Sequence, residues 1–290
     1  MLKILAALLL AAISSLGRAE IIATIKPLTL IAAAVTDGLG QPGQLLPDGV
    51  SAHDYSLRPS DCLRLQHAEL VIRVGPTHER FLESLLNAKT NVLTLSSLPD
   101  LKRLPLRRLE DGAPLPASLD SHLWLDPENA ILMARAIAGR LGRQHPEQAN
   151  RYQANAERFA VRLRQAWLPL QQRLAALPHR DYAAYHDAYQ YLESSLGLRF
   201  AGSLSASPEI RPGAKHLLLM KTRLQRQRVT CLVREPGSSE ALLRQVALPG
   251  ARQAVLDETF RGAGDFVQGW SALGQAMAHC LGNQARILVR

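Results

Sequence analysis

The chain has 290 residues, of which 47% are hydrophobic and 20% charged, a composition typical of one large globular domain or two smaller ones. It excludes a disordered chain, a collagen-like or coiled-coil rod and, with only three cysteines, a disulfide-built miniprotein. The net charge of +9 comes from 34 basic and 25 acidic residues spread along the chain. The densest basic run, 101–108, has no interleaved aromatic side chains, so we expect a solvated loop there and no nucleic-acid partner.

The first 19 residues have the pattern of a secretory leader. Lys3 precedes an apolar run at 4–13, and small residues follow up to Ala19. The run is too short to span a bilayer, and no cysteine stands at the cleavage point to carry a lipid. The sequence therefore predicts an exported protein with a cleaved signal peptide and no lipid anchor, in a compartment where disulfides persist.

From residue 20 onward, short apolar runs alternate with stretches of helical periodicity. Strands are predicted at 21–25, 43–46, 70–74, 92–95, 181–185, 199–203, 229–234 and 253–256. Helices are predicted at 27–38, 59–68, 78–87, 129–142, 147–177, 187–196, 213–227, 238–246 and 263–282. Because strands that alternate with helices form parallel sheets, we predict an α/β protein of two lobes, each a small, mainly parallel sheet flanked by helices.

One long helix joins the two predicted lobes. The expected divisions are a first lobe at 20–145, the connecting helix at 146–178 and a second lobe at 179–290. Pro169 falls inside the connecting helix and is expected to kink or interrupt it.

Four residues stand at the predicted carboxyl ends of strands or in the loops beside them, where open α/β sheets bind ligands. They are His53, His122, His186 and Asp257, two from each lobe. Neutral imidazoles with one carboxylate suit Zn²⁺, whereas Mn²⁺ prefers more oxygen ligands. The spacing contains no local zinc motif, so each residue taken alone also fits a hydrogen-bonding or capping role.

Several segments, in the same order, resemble the metal-binding proteins that feed zinc and manganese ABC importers, and most closely the zinc-uptake branch of Gram-negative bacteria. The segments are SAHDYSLRPSD at 51–61, LVIRVGPTHERFLE at 70–83, HLWLDPENA at 122–130, YHDAYQYLESSLGL at 185–198 and CLVREP at 231–236. The resemblance implies two lobes joined by a rigid helix, with a metal held in the cleft by His53, His122, His186 and a carboxylate near Asp257. It also implies that the protein is no enzyme. It would act in the periplasm as a monomer that delivers Zn²⁺ to an inner-membrane ABC permease, with a periplasmic metallochaperone as a further candidate partner.

Two comparisons with that family bear on the metal. Manganese relatives often carry Glu at the third ligand position, whereas this chain has His186, which favours zinc. The family's late Leu-Asp-Pro-Leu-Gly motif is absent, because Glu258 and Thr259 follow Asp257. Glu258 is therefore a possible substitute ligand.

The resemblance also implies a disulfide between Cys231 and Cys280, which leaves Cys62 as a buried free thiol. The histidine-rich stretch that many zinc relatives carry before the second ligand is missing, since 99–121 contains no histidine. One tightly bound zinc per chain is expected. His78, at a predicted helix start, is expected to lie outside the site.

Three alternative functions remain open from the sequence. The nearest is a manganese or broad-specificity metal-binding protein of the same importer class. A metal-dependent adhesin would use the same fold to bind a surface. A zinc hydrolase would need a general base, for which Glu258 is the available candidate.

Overall fold

The computed structural model describes residues 20–50, 52, 55–86, 89, 91–207 and 210–282. The predicted leader and His53 lie outside these residues. Among the residues described, no helix combines the length and the apolar character needed to cross a bilayer.

Four parallel strands form the sheet of the first lobe, in the spatial order β2-β1-β3-β4. They are β1 (Ile21–Ala23), β2 (Gly43–Gln44), β3 (Leu70–Arg73) and β4 (Val92–Thr94). The α-helices of this lobe are α1 (Lys26–Val35), α2 (Pro59–His67), α3 (Glu83–Leu86) and α4 (Pro127–Gln144). The central strand β3 is buried along its whole length, which explains its nearly continuous apolar sequence.

The second lobe repeats this architecture, with four parallel strands in the order β6-β5-β7-β8. They are β5 (Asp181–His186), β6 (Arg199–Ser205), β7 (Cys231–Arg234) and β8 (Arg252–Val255). Its helices are α6 (Gln190–Leu196), α7 (Ala214–Gln227), α8 (Glu240–Val246) and α9 (Phe266–Gly282). All eight predicted strands are present, and the prediction of two parallel α/β lobes is confirmed.

A single helix of 27 residues, α5 (Ala149–Ala175), links the lobes, and at 1.5 Å per residue it is about 40 Å long. It packs against α4 of the first lobe and α9 of the second. Its buried side chains recur at helical spacing and include Tyr152, Ala156, Phe159, Leu163, Leu170 and Leu174. The helix continues through Pro169 without interruption, so the stripe of buried side chains outweighs the loss of one backbone donor.

The main hydrophobic core is continuous from the first lobe, along α5, into the second lobe. Trp270 of α9 crosses between them, since its Nε1 donates to the carbonyl oxygen of Leu125 at 2.9 Å. A smaller apolar cluster fills the space between the second sheet and helices α7 and α8. The shared core holds the two lobes against the same helix.

Cys231 and Cys280 form a disulfide, as the sequence predicts. It ties β7 to α9, with the two Cα atoms 5.5 Å apart. Cys62 is the free cysteine, but it is half-buried rather than buried. Its position on α2, whose outer face is solvated, accounts for the difference.

The basic run 101–108 is a loop in which Lys102, Arg103 and Arg108 are exposed, as the sequence predicts, but Arg107 is held by the second lobe. Arg107 donates to both carboxylate oxygens of Asp187, at 2.6 and 2.8 Å, and to Glu193 at 2.9 Å. Its guanidinium also lies 3.7 Å from the centre of the Phe200 ring. Since these three partners belong to the second lobe, the run fastens one lobe to the other.

Candidate metal centre

A cavity of about 170 Å³ lies between the lobes, at the carboxyl ends of their strands. Its lining includes Ala52, His78, His122, His186, Asp257 and Glu258. A second cavity of about 890 Å³, beneath the segment 106–121, reaches the same three histidines from another side. The three histidines therefore line both cavities.

His122 is held in a fixed orientation by Asp120. The Asp120 atom Oδ1 accepts hydrogen bonds from His122 Nδ1 at 2.7 Å and from the His122 backbone N–H at 3.0 Å. A carboxylate on Nδ1 fixes the proton there, which leaves the lone pair on Nε2 for a metal. Burial opposes ionisation of Asp120, but its interaction with His122, which includes two hydrogen bonds, outweighs burial and holds the pKa of the Asp120 carboxyl below its usual value.

The second lobe contributes to the position of His122. Gln190 donates from Nε2 to the other oxygen of Asp120 at 3.1 Å, and the hydroxyl of Tyr191 donates to the Asp120 carbonyl oxygen at 3.0 Å. Both residues belong to α6. A ligand candidate of the first lobe is thus oriented by side chains of the second.

His186, the last residue of β5, lies beside His122, with ring centres 5.5 Å apart. Two imidazoles on one tetrahedral zinc have centres roughly 5 Å apart, given Zn–N bonds of about 2.1 Å. The Nδ1 atom of His186 is buried and has no hydrogen-bond partner in the described part of the chain. The nearest carboxylate oxygen, Oε1 of Glu235, is 3.6 Å away. A buried polar atom without a partner is available to a group that enters the cavity, such as a water or a metal ion.

The two candidate carboxylates after β8 differ in what they contact. The Asp257 carboxylate accepts hydrogen bonds from the N–H groups of Thr259 and Arg261, at 3.0 and 3.2 Å, and from the Thr259 hydroxyl at 2.5 Å. It therefore caps its own turn. By contrast, Oε2 of Glu258 is buried without a partner among the described residues. Burial, and then the nearby charge of Glu235, raise the pKa of Glu258 to about 8.

His53 lies outside the described residues, although Ala52, which directly precedes it, lines the cavity. Within the part of the chain that is described, no three histidine, cysteine, aspartate or glutamate side chains converge closely enough to hold a metal ion. The described site thus contains the pair His122 and His186 with Glu258 near it. A complete set of ligands needs at least one further residue or a movement of the lobes.

Several residues of the site were not predicted. Asp120, Glu235 and Gln190 are absent from the sequence-based set, and only Asp120 has a local signal, since it stands two positions before a candidate ligand. The expectation for His78 was wrong. It is buried against the same cavity, 5.3 Å from the Trp124 ring, and its Nδ1 lies 3.0 Å from the Ser121 hydroxyl.

Two parallel α/β lobes on one long helix, with a ligand cavity between them at the strand ends, define a two-lobed solute-binding protein. The family described as zinc-uptake complex component A, periplasmic (ZnuA), matches residues 21–276. The chain belongs to this family, and the resemblance noted in its sequence is confirmed.

Individual relatives agree with this assignment. The high-affinity zinc uptake system protein ZnuA of Yersinia pestis is 37% identical over 263 residues, which cover 83% of each chain. The corresponding protein of Brucella abortus is 30% identical over 280 residues, covering 83% of this chain and 84% of that one. A solved structure described as the crystal structure of ZnuA has a TM-score of 0.78 at 23% identity and covers 91% of this chain and all of its own. At that identity, the solved structure shows the shared fold.

Proposed function

We propose that this protein binds Zn²⁺ in the periplasm, in the cavity between its lobes, and delivers it to an inner-membrane ABC permease. The observation that carries the proposal is a pair of buried atoms, His186 Nδ1 and Glu258 Oε2, which lack hydrogen-bond partners among the described residues and border one cavity. A cation would satisfy both atoms. Family membership supports zinc as the cargo.

In this proposal the ligands are His53, His122, His186 and one carboxylate. Glu258 is better suited than Asp257, because the Asp257 carboxylate already accepts three hydrogen bonds from its own turn. Three imidazoles and one carboxylate form a four-coordinate nitrogen-rich set, which favours zinc over manganese. Binding is reversible and involves no chemical step, so the protein is not an enzyme.

The proposal includes the location of the protein, its oligomeric state and the source of its zinc. Residues 1–19 serve as the export leader that is removed, and no cysteine between residues 14 and 20 is available to carry a lipid. The mature protein works as a monomer. A periplasmic metallochaperone is a candidate source of its zinc.

Metal analysis of the protein recovered from its own periplasm tests the cargo. We expect zinc, and a protein that carries manganese instead would favour the alternative importer class. Competition titration against a zinc chelator tests the ligands. His122→Ala, His186→Ala and Glu258→Gln should each weaken binding by at least 10–100-fold, the usual cost of disturbing even the groups around a ligand.

Two variants serve as controls in that titration. His67→Ala removes an exposed histidine of α2, and Asp257→Asn changes a carboxylate that caps its own turn. Both should bind zinc within a few-fold of the unmodified protein. If Asp257→Asn lowers the affinity and Glu258→Gln does not, the assignment of the carboxylate ligand is wrong.

A further inference from the structure

The segment around α7 carries the largest unbalanced charge in the described chain. Residues 210–228 contain no aspartate or glutamate and six basic residues, which are Arg211, Lys215, Lys221, Arg223, Arg226 and Arg228. Within the described chain, none of the six forms a salt bridge. Five are exposed and Arg223 is half-buried. Among the described residues, this charge therefore has no carboxylate partner.

The basic run 101–108 differs sharply in this respect. Lys102 pairs with Asp126, Arg107 with Asp187, and Arg108 with Asp111. The run that is densest in basic residues is thus largely neutralised within the protein. The segment around α7, which is less conspicuous in the sequence, is not.

Large apolar side chains are exposed among these cations. Leu218 is 67% exposed, the highest value for any large hydrophobic residue described, while Leu219 and Ile210 are 43% and 57% exposed. Met220 and Leu224 of the same helix face the core, so Leu218 and Leu219 are not needed to hold α7 in place. A shallow groove runs along this outer side, lined by Lys215, Leu218, Leu219, Thr222, Arg223 and Arg226.

A neighbouring segment adds to this surface. Arg223 donates to the carbonyl oxygen of Glu110, which joins α7 to the segment 106–115. Leu106 and Leu115 of that segment are each 42% exposed. We call residues 210–228 together with Leu106 and Leu115 the basic leucine face.

We propose that the basic leucine face binds the surface of a membrane that contains anionic phospholipids. Basic side chains beside an anionic bilayer gain electrostatic attraction, and leucines between them insert at the level of the head groups. The long stems of lysine and arginine let the charge stay in water while the leucines go deeper. The proposal is independent of metal binding.

The composition of the face favours lipid over an acidic protein. The large exposed apolar side chains of the face are leucine and isoleucine. Leucine is under-represented among the residues that anchor protein interfaces but is typical of the apolar side of helices that bind membranes. Five of the six cations are exposed, and none of the six pairs with a carboxylate of the described residues, so most of these side chains can change conformation. A fluid layer of anionic head groups can adapt to such side chains.

Vesicle cosedimentation tests the proposal, with protein recovered from the periplasmic fraction so that all variants share the same amino terminus. The triple variant Lys215→Gln/Lys221→Gln/Arg226→Gln removes three exposed cations of the face. The matched control Arg143→Gln/Arg151→Gln/Arg173→Gln removes three exposed cations of α4 and α5. Both triple variants have the same net charge.

Binding to phosphatidylglycerol-containing vesicles should fall by about fivefold for each cation removed from the face, and so by on the order of a hundredfold for the first triple variant. The control should change by only a few-fold. Leu218→Ser/Leu219→Ser should also weaken binding without altering its salt dependence, and vesicles of phosphatidylcholine alone should bind little of any variant.

Three results would overturn the proposal. The first is an absence of binding to anionic vesicles near physiological salt. The second is an equal loss in both triple variants, which would mean that only overall charge matters. The third is that the first triple variant, but not the control, loses binding to neutral vesicles that contain the permease while it binds anionic vesicles like the unmodified protein, which would identify the permease as the partner of the face.

Discussion

Replacement of Asp120 by asparagine tests how the structure prepares His122 for a metal. In the native protein one Asp120 oxygen accepts from His122 Nδ1 at 2.7 Å, and the other accepts from Gln190 at 3.1 Å. An asparagine offers only one acceptor atom. If the asparagine oxygen faces His122, the asparagine amide N–H groups face the Gln190 amide N–H groups. Two donors are then in contact, and the hydrogen bond from Gln190 is lost.

The opposite orientation of the asparagine is worse for the metal. Its N–H groups would face His122 Nδ1 and favour the tautomer that carries the proton on Nε2. This tautomer lacks the Nε2 lone pair that would bind zinc in the proposed site. Changes to groups that orient a metal-bound histidine typically cost 10–100-fold in affinity. This corresponds to about 1.4–2.7 kcal/mol of binding free energy.

The assay is competition titration of Asp120→Asn against a zinc chelator, with urea unfolding of the zinc-free protein to verify that the variant is folded. Asp111→Asn is the matched control, because it makes the same chemical change at an exposed position of the same loop, where the partner is Arg108. It should bind zinc like the native protein. A folded Asp120→Asn protein with native zinc affinity would refute the orienting role of Asp120.

Four further predictions concern stability and stoichiometry. Asp265 accepts a hydrogen bond from the Gln268 N–H in the first turn of α9 and pairs with the guanidinium of Arg162. Burial opposes ionisation of the Asp265 carboxyl, but these contacts outweigh burial and lower its pKa. Asp265→Ala should therefore lower the unfolding free energy by about 1 kcal/mol at pH 7, as measured by urea unfolding. The difference in unfolding free energy between the native protein and the variant should become smaller as the pH falls through the lowered pKa, because the carboxyl is then protonated. Glu79 accepts from a hydroxyl and two backbone N–H groups, so Glu79→Gln leaves a buried donor unmatched and should destabilise by about 1–3 kcal/mol in the same assay. Replacing Cys231 and Cys280 by serine opens a crosslink with a sequence separation of 49 residues and should lower the unfolding free energy by up to about 4 kcal/mol, whereas an unchanged midpoint would contradict the chain-entropy argument. Isothermal titration should find one tight zinc per chain, because 99–121 has no histidine; two sites of similar affinity would contradict it.

The sequence predicted the architecture because its information is local. Each strand is a short apolar run between helical stretches, so the positions of all eight strands follow from periodicity. Two strands differ in detail from their predictions. Strand β1 is shorter than the predicted 21–25, and β8 is more exposed than a buried strand. Strand ends explain only part of the site: His186 ends β5, whereas His122 stands on the loop before α4, well after β4 has ended. The two histidines, 64 positions apart in the sequence, lie side by side because the two lobes pack against each other.

The partners of each side chain were decided only by the tertiary structure. Nothing local indicates that Gln190 of one lobe orients Asp120 of the other, or that Arg107 is neutralised by Asp187. The choice of Asp257 or Glu258 as the proposed carboxylate ligand also depends on the tertiary structure, because it shows which carboxylate accepts hydrogen bonds from the turn after β8. Residue types and the approximate ends of strands can be read from the sequence. Hydrogen-bond partners and burial depend on which surfaces meet when the two lobes pack on α5. These partners and this burial determine the electrostatics of the site.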